Sequence, residues 1–234
     1  AGTVAFNDTL DSAANAASTL NITAGTGNID FDAAVGSATN GELGAITIVS
    51  AQNVTADSTI EAASLVQNAG TLTTLTDNVT TTTAAGVDIT ATDIRLDGLT
   101  INTTSGNGVV TMNGATRLDD AVTITRGTGA VTFTGTVDSE GSETNNLTIN
   151  GTSGGSIAFQ DNVGTAGTSN AGRLGAVTIA TATDLTVTDG KSFNAVSFAQ
   201  QAGTNTTFGG LVNTSGQIDS TVDSVTQEVT NANG

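Results

Sequence analysis

The sequence predicts an all-β parallel β-helix, a β-solenoid of roughly ten coils, with tandem β-sandwich domains as the alternative. Three observations point there. Short apolar–polar–apolar strings recur through the chain, the composition lacks the residues of a thick core, and one long stretch occurs twice.

The strings include Val4-Ala-Phe6, Ile29-Asp-Phe31, Ile46-Thr-Ile48, Leu99-Thr-Ile101, Val122-Thr-Ile124, Leu147-Thr-Ile149 and Leu185-Thr-Val187. Alternation at period two marks strands with one buried face. Gly and Asn residues separate the strings, and Asn-Gly at Asn40, Asn113 and Asn150 reads as turns. Many short, evenly spaced strands fit a sandwich or a solenoid. Sandwiches usually bury a large aromatic residue and use Pro freely in their turns, but Pro, Trp and Tyr are absent and the aromatic content is 3%. A narrow interior of Val, Ile, Leu and Ala, with outward Thr, Ser, Asn and Asp, suits a solenoid. With a coil of roughly 20 to 24 residues in three strands, ten coils stacked about 4.8 Å apart give a rod of about 50 Å.

The duplication is long. "GTVAFNDTLDS" (Gly2 to Ser12) matches "GAVTFTGTVDS" (Gly129 to Ser139), and "GNIDFDAAVG" from Gly27 matches "GSIAFQDNVG" from Gly155. "LGAITIVSAQNVTA" from Leu43 matches "LGAVTIATATDLTV" from Leu174, and "SLVQNAGTLTTL" from Ser64 matches "SFAQQAGTNTTF" from Ser197. Residues 1–128 thus form a first unit and 129–234 a second that stops early, within one continuous solenoid. In the repeated phrase Ile48 and Ile179 are expected inward, Thr47 and Thr178 outward. The segment 213–234 departs from the rhythm. Ile218, Val222, Val225 and Val229 are spaced like a helical stripe, but the Thr, Ser and Asp between them have poor helix propensity. A frayed coil, an end cap and a docking strand are the readings there.

The charge of −17, from 22 acids against 5 bases, argues against nucleic acid, which needs a basic footprint, and against an anionic membrane surface. No apolar run approaches 18 residues, so no transmembrane helix and no membrane insertion are expected. The chain starts at Ala1 without Met, which reads as a processed chain or a fragment. Zero Cys is compatible with an exposed bacterial surface protein. His is absent, and with it the commonest general base near neutral pH. The four Arg (Arg95, Arg117, Arg126, Arg173) and Lys191 are scattered through the sequence. Paired carboxylates at Asp119-Asp120 and Asp30-Phe-Asp32 could hydrolyse glycosidic bonds in principle, but no Trp or Tyr could stack a sugar ring. No catalytic residue is therefore assigned, and no enzyme activity is expected.

No cofactor is expected; calcium is the one ion weighed against that expectation. Asp30, Asp32, Asp88, Asp93 and Asp97 are weak candidates, since calcium takes carboxylate and carbonyl oxygens; solvated acids are the plainer reading. The Thr pairs Thr123-Ile-Thr125, Thr132-Phe-Thr134 and Thr186-Val-Thr188 suggest the threonine ladders of ice-binding solenoids. Such ladders need aligned coils, and the irregular spacing favours ordinary strand preference instead. The Asn-x-Ser/Thr triplets at Asn7, Asn21, Asn53, Asn78, Asn146 and Asn205 are what an Asn- and Thr-rich chain contains by chance.

The stretches "GAVTFTGTV", "LTINGTSGGSIAFQDNVG" and "LGAVTIATATDLTV" resemble the repeat regions of large bacterial surface proteins, the filamentous-haemagglutinin-like adhesins and autotransporter passengers. That resemblance implies a right-handed β-helix, secretion, and a role in adhesion or surface assembly. The expected function is a structural segment or subunit of an extracellular bacterial fibre, adhesin or surface layer. Its expected partner is itself, end to end or as a longer polypeptide. The alternative is a module that binds surface glycans or a receptor on a solenoid scaffold.

Overall fold

A computed structural model describes residues 2–37, 39, 41–151, 154–165, 172–216 and 218–227. These form a β-solenoid of about ten turns, with strands paired in parallel and no helix. Each coil contributes three faces in chain order.

Face 1 stacks Val4, Ile29, Val54, Thr73, Ile94, Thr116, Val137, Val163, Phe193 and Val212 in register. Face 2 stacks Leu10, Val35, Ile60, Val79, Ile101, Ile124, Ile149, Ile179, Gln200 and Ser220. Face 3 runs from Leu20 through Ile46, Leu65, Val87, Val110 and Val131 to Ile157, Leu185, Thr206 and Val225. Each column holds ten positions, one per coil. Successive face 1 partners lie between 19 (Val54 to Thr73) and 30 (Val163 to Phe193) residues apart, so the corners absorb the variation and the faces stay aligned.

Alternation decides which side is buried. Ile48 is 1% exposed and Ile179 0%, while Thr47 and Thr178 stay half-buried on the outside. The interior is less aliphatic than composition suggests. Phe31, Phe133, Phe159, Phe193 and Phe198 are fully buried. Phe6 stacks on Phe31 and Phe133 on Phe159, at ring-centroid distances of 5.0 and 5.3 Å. A thin core holds aromatic rings when coils lay them over one another.

The two copies of the duplicated unit do not lie on the same faces. Val4 is on face 1, and its counterpart Val131 is on face 3. Leu20 moves from face 3 to Leu147 on face 2, and Val35 from face 2 to Val163 on face 1. The unit therefore spans five coils and two further faces, and its second copy is turned back by one face. A strand with one buried side can sit on any of three faces that share the same inward–outward alternation. The repeated phrase accordingly forms the corner from face 3 to face 1 in one copy and from face 2 to face 3 in the other.

Of the Asn-Gly pairs at Asn40, Asn113 and Asn150, the last two fall among the described residues. Asn113-Gly114 lies inside the strand Val110–Leu118, at a register shift against the coil before it, and Asn150-Gly151 ends the strand Leu147–Gly151. Asn40 lies outside the described residues. Both strands pair in parallel with their neighbouring coils, so neither dipeptide closes a hairpin.

The tail is extended rather than helical. Ile218–Ser220 pairs with the strand Phe193–Gln200, and Ser224–Gln227 pairs with Gly203–Phe208. Ile218 and Val225 are exposed. Val229 lies outside the described residues.

Candidate functional site

Charge concentrates on face 1 and at the corner after it. Outward on face 1, Asp30, Thr55, Thr74, Arg95, Arg117 and Asp138 stack one above another. At the following corner, the backbone N–H groups of Asp97, Asp119 and Glu140 each donate to the preceding coil, at Leu75, Leu96 and Leu118. Three acids on consecutive coils are thereby brought to one edge. Arg95 and Arg117, 22 residues apart in sequence, become direct neighbours. The sequence offered no sign of this, because the coil length that brings them together varies.

Arg117 is held by its own coil. Its guanidinium donates to both carboxylate oxygens of Asp119, the Nη2–Oδ2 distance being 3.1 Å, and it lies 4.0 Å from Glu140. The hydrogen bond to Asp119 raises its pKa above the ordinary arginine value. Lys191 donates to Asp161 at 2.8 Å, and this bond, with the Asn162 backbone N–H, holds the Asp161 carboxyl below its ordinary value. Arg173 donates to the carbonyls of Ala195 at 2.7 Å and Asn213 at 3.3 Å.

Arg126 is inside the solenoid at 0% exposure. It donates to the carbonyls of Gly127, Gly129, Gly155 and Thr181, at 3.3, 3.1, 3.0 and 2.6 Å. Burial lowers its pKa. A buried charge normally needs a partner, and here four carbonyl dipoles at the corner between faces 2 and 3 take that role.

The calcium candidates are dispersed. Asp30 and Asp32 belong to the second coil, Asp88 to the fourth, and Asp93 and Asp97 to the fifth. Asp88 faces outward on face 3, where Asn113 Nδ2 donates to it at 2.9 Å, and burial raises its pKa. Asp32 and Asp97 anchor corners through their backbone N–H groups. Among the described residues, no three His, Cys, Asp or Glu side chains are grouped to hold a metal ion.

The threonines align better than the spacing suggests. Thr100, Thr123, Thr148 and Thr178 form one outward column on face 2. On face 3, Thr111 and Thr132 are followed by Ala158 before Thr186 and Thr207 resume. Several asparagines have structural work at the corners. The Oδ1 atoms of Asn78, Asn107, Asn146 and Asn162 accept backbone N–H groups of the next coil, from Thr100, Thr128, Ala176 and Ser192, at 2.7 to 3.0 Å. The triplets at Asn78 and Asn146 thus combine a corner Asn with the first residues of a strand.

Comparison with protein-family models, curated proteins and solved structures gives no match.

Proposed function

We propose that the chain is a structural segment of an extracellular bacterial fibre, adhesin or surface layer, a rod that works by coil stacking and joins further coils at its ends. The observation that carries this reading is the in-register ladder of face 1, which runs from Val4 to Val212 through both copies of the duplicated unit. Such a ladder resists extension and proteolysis along its whole length, because each coil is held by its neighbours. The outer coils favour end-to-end joining. Among the described residues, the strand Thr3–Phe6 pairs on one side only, as does Ser224–Gln227, so each leaves backbone donors and acceptors on its outer edge. Val4, Leu211, Ile218 and Val225 are exposed in the same coils.

Electron microscopy over a concentration series tests the proposal. The expected result is thin rods whose lengths are multiples of a unit of about 50 Å, the length of ten stacked coils. Compact particles that stay single at high concentration would overturn the joining of ends.

A further inference from the structure

We propose that the groove beside Arg95 and Arg117 on face 1 binds an acidic sugar, with the sugar carboxylate held by Arg95. The chain has five cationic side chains. Four have partners: Arg117 on Asp119, Lys191 on Asp161, and Arg126 and Arg173 on backbone carbonyls. Arg95 alone makes no hydrogen bond or ion pair among the described residues. It nonetheless stands directly over Arg117, with Asp93 and Asp97 on its own strand or just beyond it. The register thus places two guanidinium-bearing residues of adjacent coils on one outward column.

The groove beside the pair has a volume of about 240 Å³ and is lined by Asp93, Arg95, Ala115, Arg117, Thr136 and Asp138. Its position follows from the irregularity at Asn113/Ala115. Gly114 there has φ +156°, and a Cβ on it would meet the Ala91 carbonyl at 1.9 Å. The shift brings the small Ala115 between Asp93 and Thr136, and the depression opens over it.

The lining chemistry is that of a carboxylated carbohydrate. A guanidinium fork takes a carboxylate through two parallel N–H···O bonds. Asp93 and Asp138 are acceptors for sugar hydroxyls; Asp138 Oδ1 accepts from Thr165, and its second oxygen makes no hydrogen bond among the described residues. The volume suits one pyranose ring, well below the space of a larger ligand. A peptide is the poorer fit, because the face 1 backbone is already paired coil to coil and offers no edge to an added strand. The site is independent of the rod reading, since a rod without it would still be a rod.

The test is an NMR titration of the full chain with a galacturonate trisaccharide, a neutral galactose trisaccharide, inorganic sulfate and a short polyglutamate. The expected result is shifts of backbone amides at 93–95, 115–117 and 136–138 with the uronate alone. R95Q should weaken this binding about tenfold or more, R95K should recover only part of it because the fork is lost, and K191Q should leave it unchanged. No uronate shifts, or equal shifts with the neutral sugar, would overturn the proposal. So would sulfate or polyglutamate binding as tightly as the uronate, or undiminished binding by R95Q. Thermal melts of each variant establish folding, and the location of the shifts in the unsubstituted chain tests the site without any substitution.

Discussion

Gln67 and Gln200 make the same buried hydrogen bond from different faces of the solenoid. Gln67 ends the strand Ile60–Gln67 at the corner from face 3 to face 1, and its Oε1 accepts from Thr73 Oγ1 at 2.8 Å. Gln200 ends Phe193–Gln200 at the corner from face 2 to face 3, and its Oε1 accepts from Thr206. Both glutamines are at most 2% exposed. The pair recurs with the duplicated unit, and it works equally after the unit has turned by one face.

Replacing Gln67 by Ala should therefore destabilise its corner by about 2–3 kcal/mol, through a small cavity and an unpartnered Thr73 hydroxyl. The double variant Q67A/T73V should recover part of that loss, because the buried Thr73 hydroxyl is then no longer there to go unpartnered. Amide hydrogen exchange at residues 66–74 is the suitable measurement, since coils open locally and a global unfolding curve would average the effect.

Arg126 carries a larger prediction. Its four carbonyl acceptors come from three successive coils, so truncation removes a donor from all of them, although Gly155 keeps the Thr183 N–H at 3.2 Å. R126A should cost about 3–5 kcal/mol, the range for breaking a buried charged network. R126K should cost less, because an ammonium keeps the charge and up to three donors. Urea unfolding of the three proteins checks the order, and an unchanged midpoint for R126A would contradict it.

These two sites mark the limit of what the sequence reveals. Period-two alternation made the strands and the inward Ile48 and Ile179 legible, because burial of alternate residues is a local property. The interior polar groups were not legible. Thr73, Gln67 and Arg126 occupy inward positions where composition suggests aliphatic residues, and their partners lie across corners or in other coils. Arg95 and Arg117 became neighbours only once corner lengths fixed which residues stack. Asn113-Gly114 separates the face 3 string Val110–Met112 from the face 1 string Thr116–Leu118, but does so within one strand.

Two carboxylates give opposite pH effects. Burial raises the Asp88 pKa, so between the ordinary aspartate value and the raised one the folded chain binds the proton more tightly than the unfolded chain. Asp88 therefore lowers stability as pH rises through that window. D88N keeps an acceptor for Asn113 and should raise the melting temperature by about 1–2 °C at neutral pH, with no gain below the window. Asp161 behaves the other way. Its pKa is lowered by Lys191 and the Asn162 N–H, so its contribution is present above the ordinary aspartate value and is lost as pH falls through the lowered one. K191Q should flatten that acid limb in a pH series of thermal melts.

Gly36 and Gly164 test whether the two copies turn their corners by the same geometry. They are counterparts in the duplicated unit, with φ of +74° and +66°. A Cβ on Gly36 would meet the Glu61 carbonyl oxygen at 2.0 Å, and one on Gly164 would meet that of Asn194 at 2.0 Å. In each case the obstruction is backbone of the next coil, which cannot move without opening the stack. Both G36A and G164A should therefore destabilise by about 1–3 kcal/mol, more than the ordinary effect of Ala on an exposed turn. Gly190 provides the control: its φ of +73° is similar, but nothing lies within 4 Å of its Cβ position. G190A should cost only the local backbone strain, about 1 kcal/mol. Chemical denaturation of the three variants checks this, and equal losses at all three positions would show that left-handed backbone strain, rather than close approach of coils, sets the requirement for glycine.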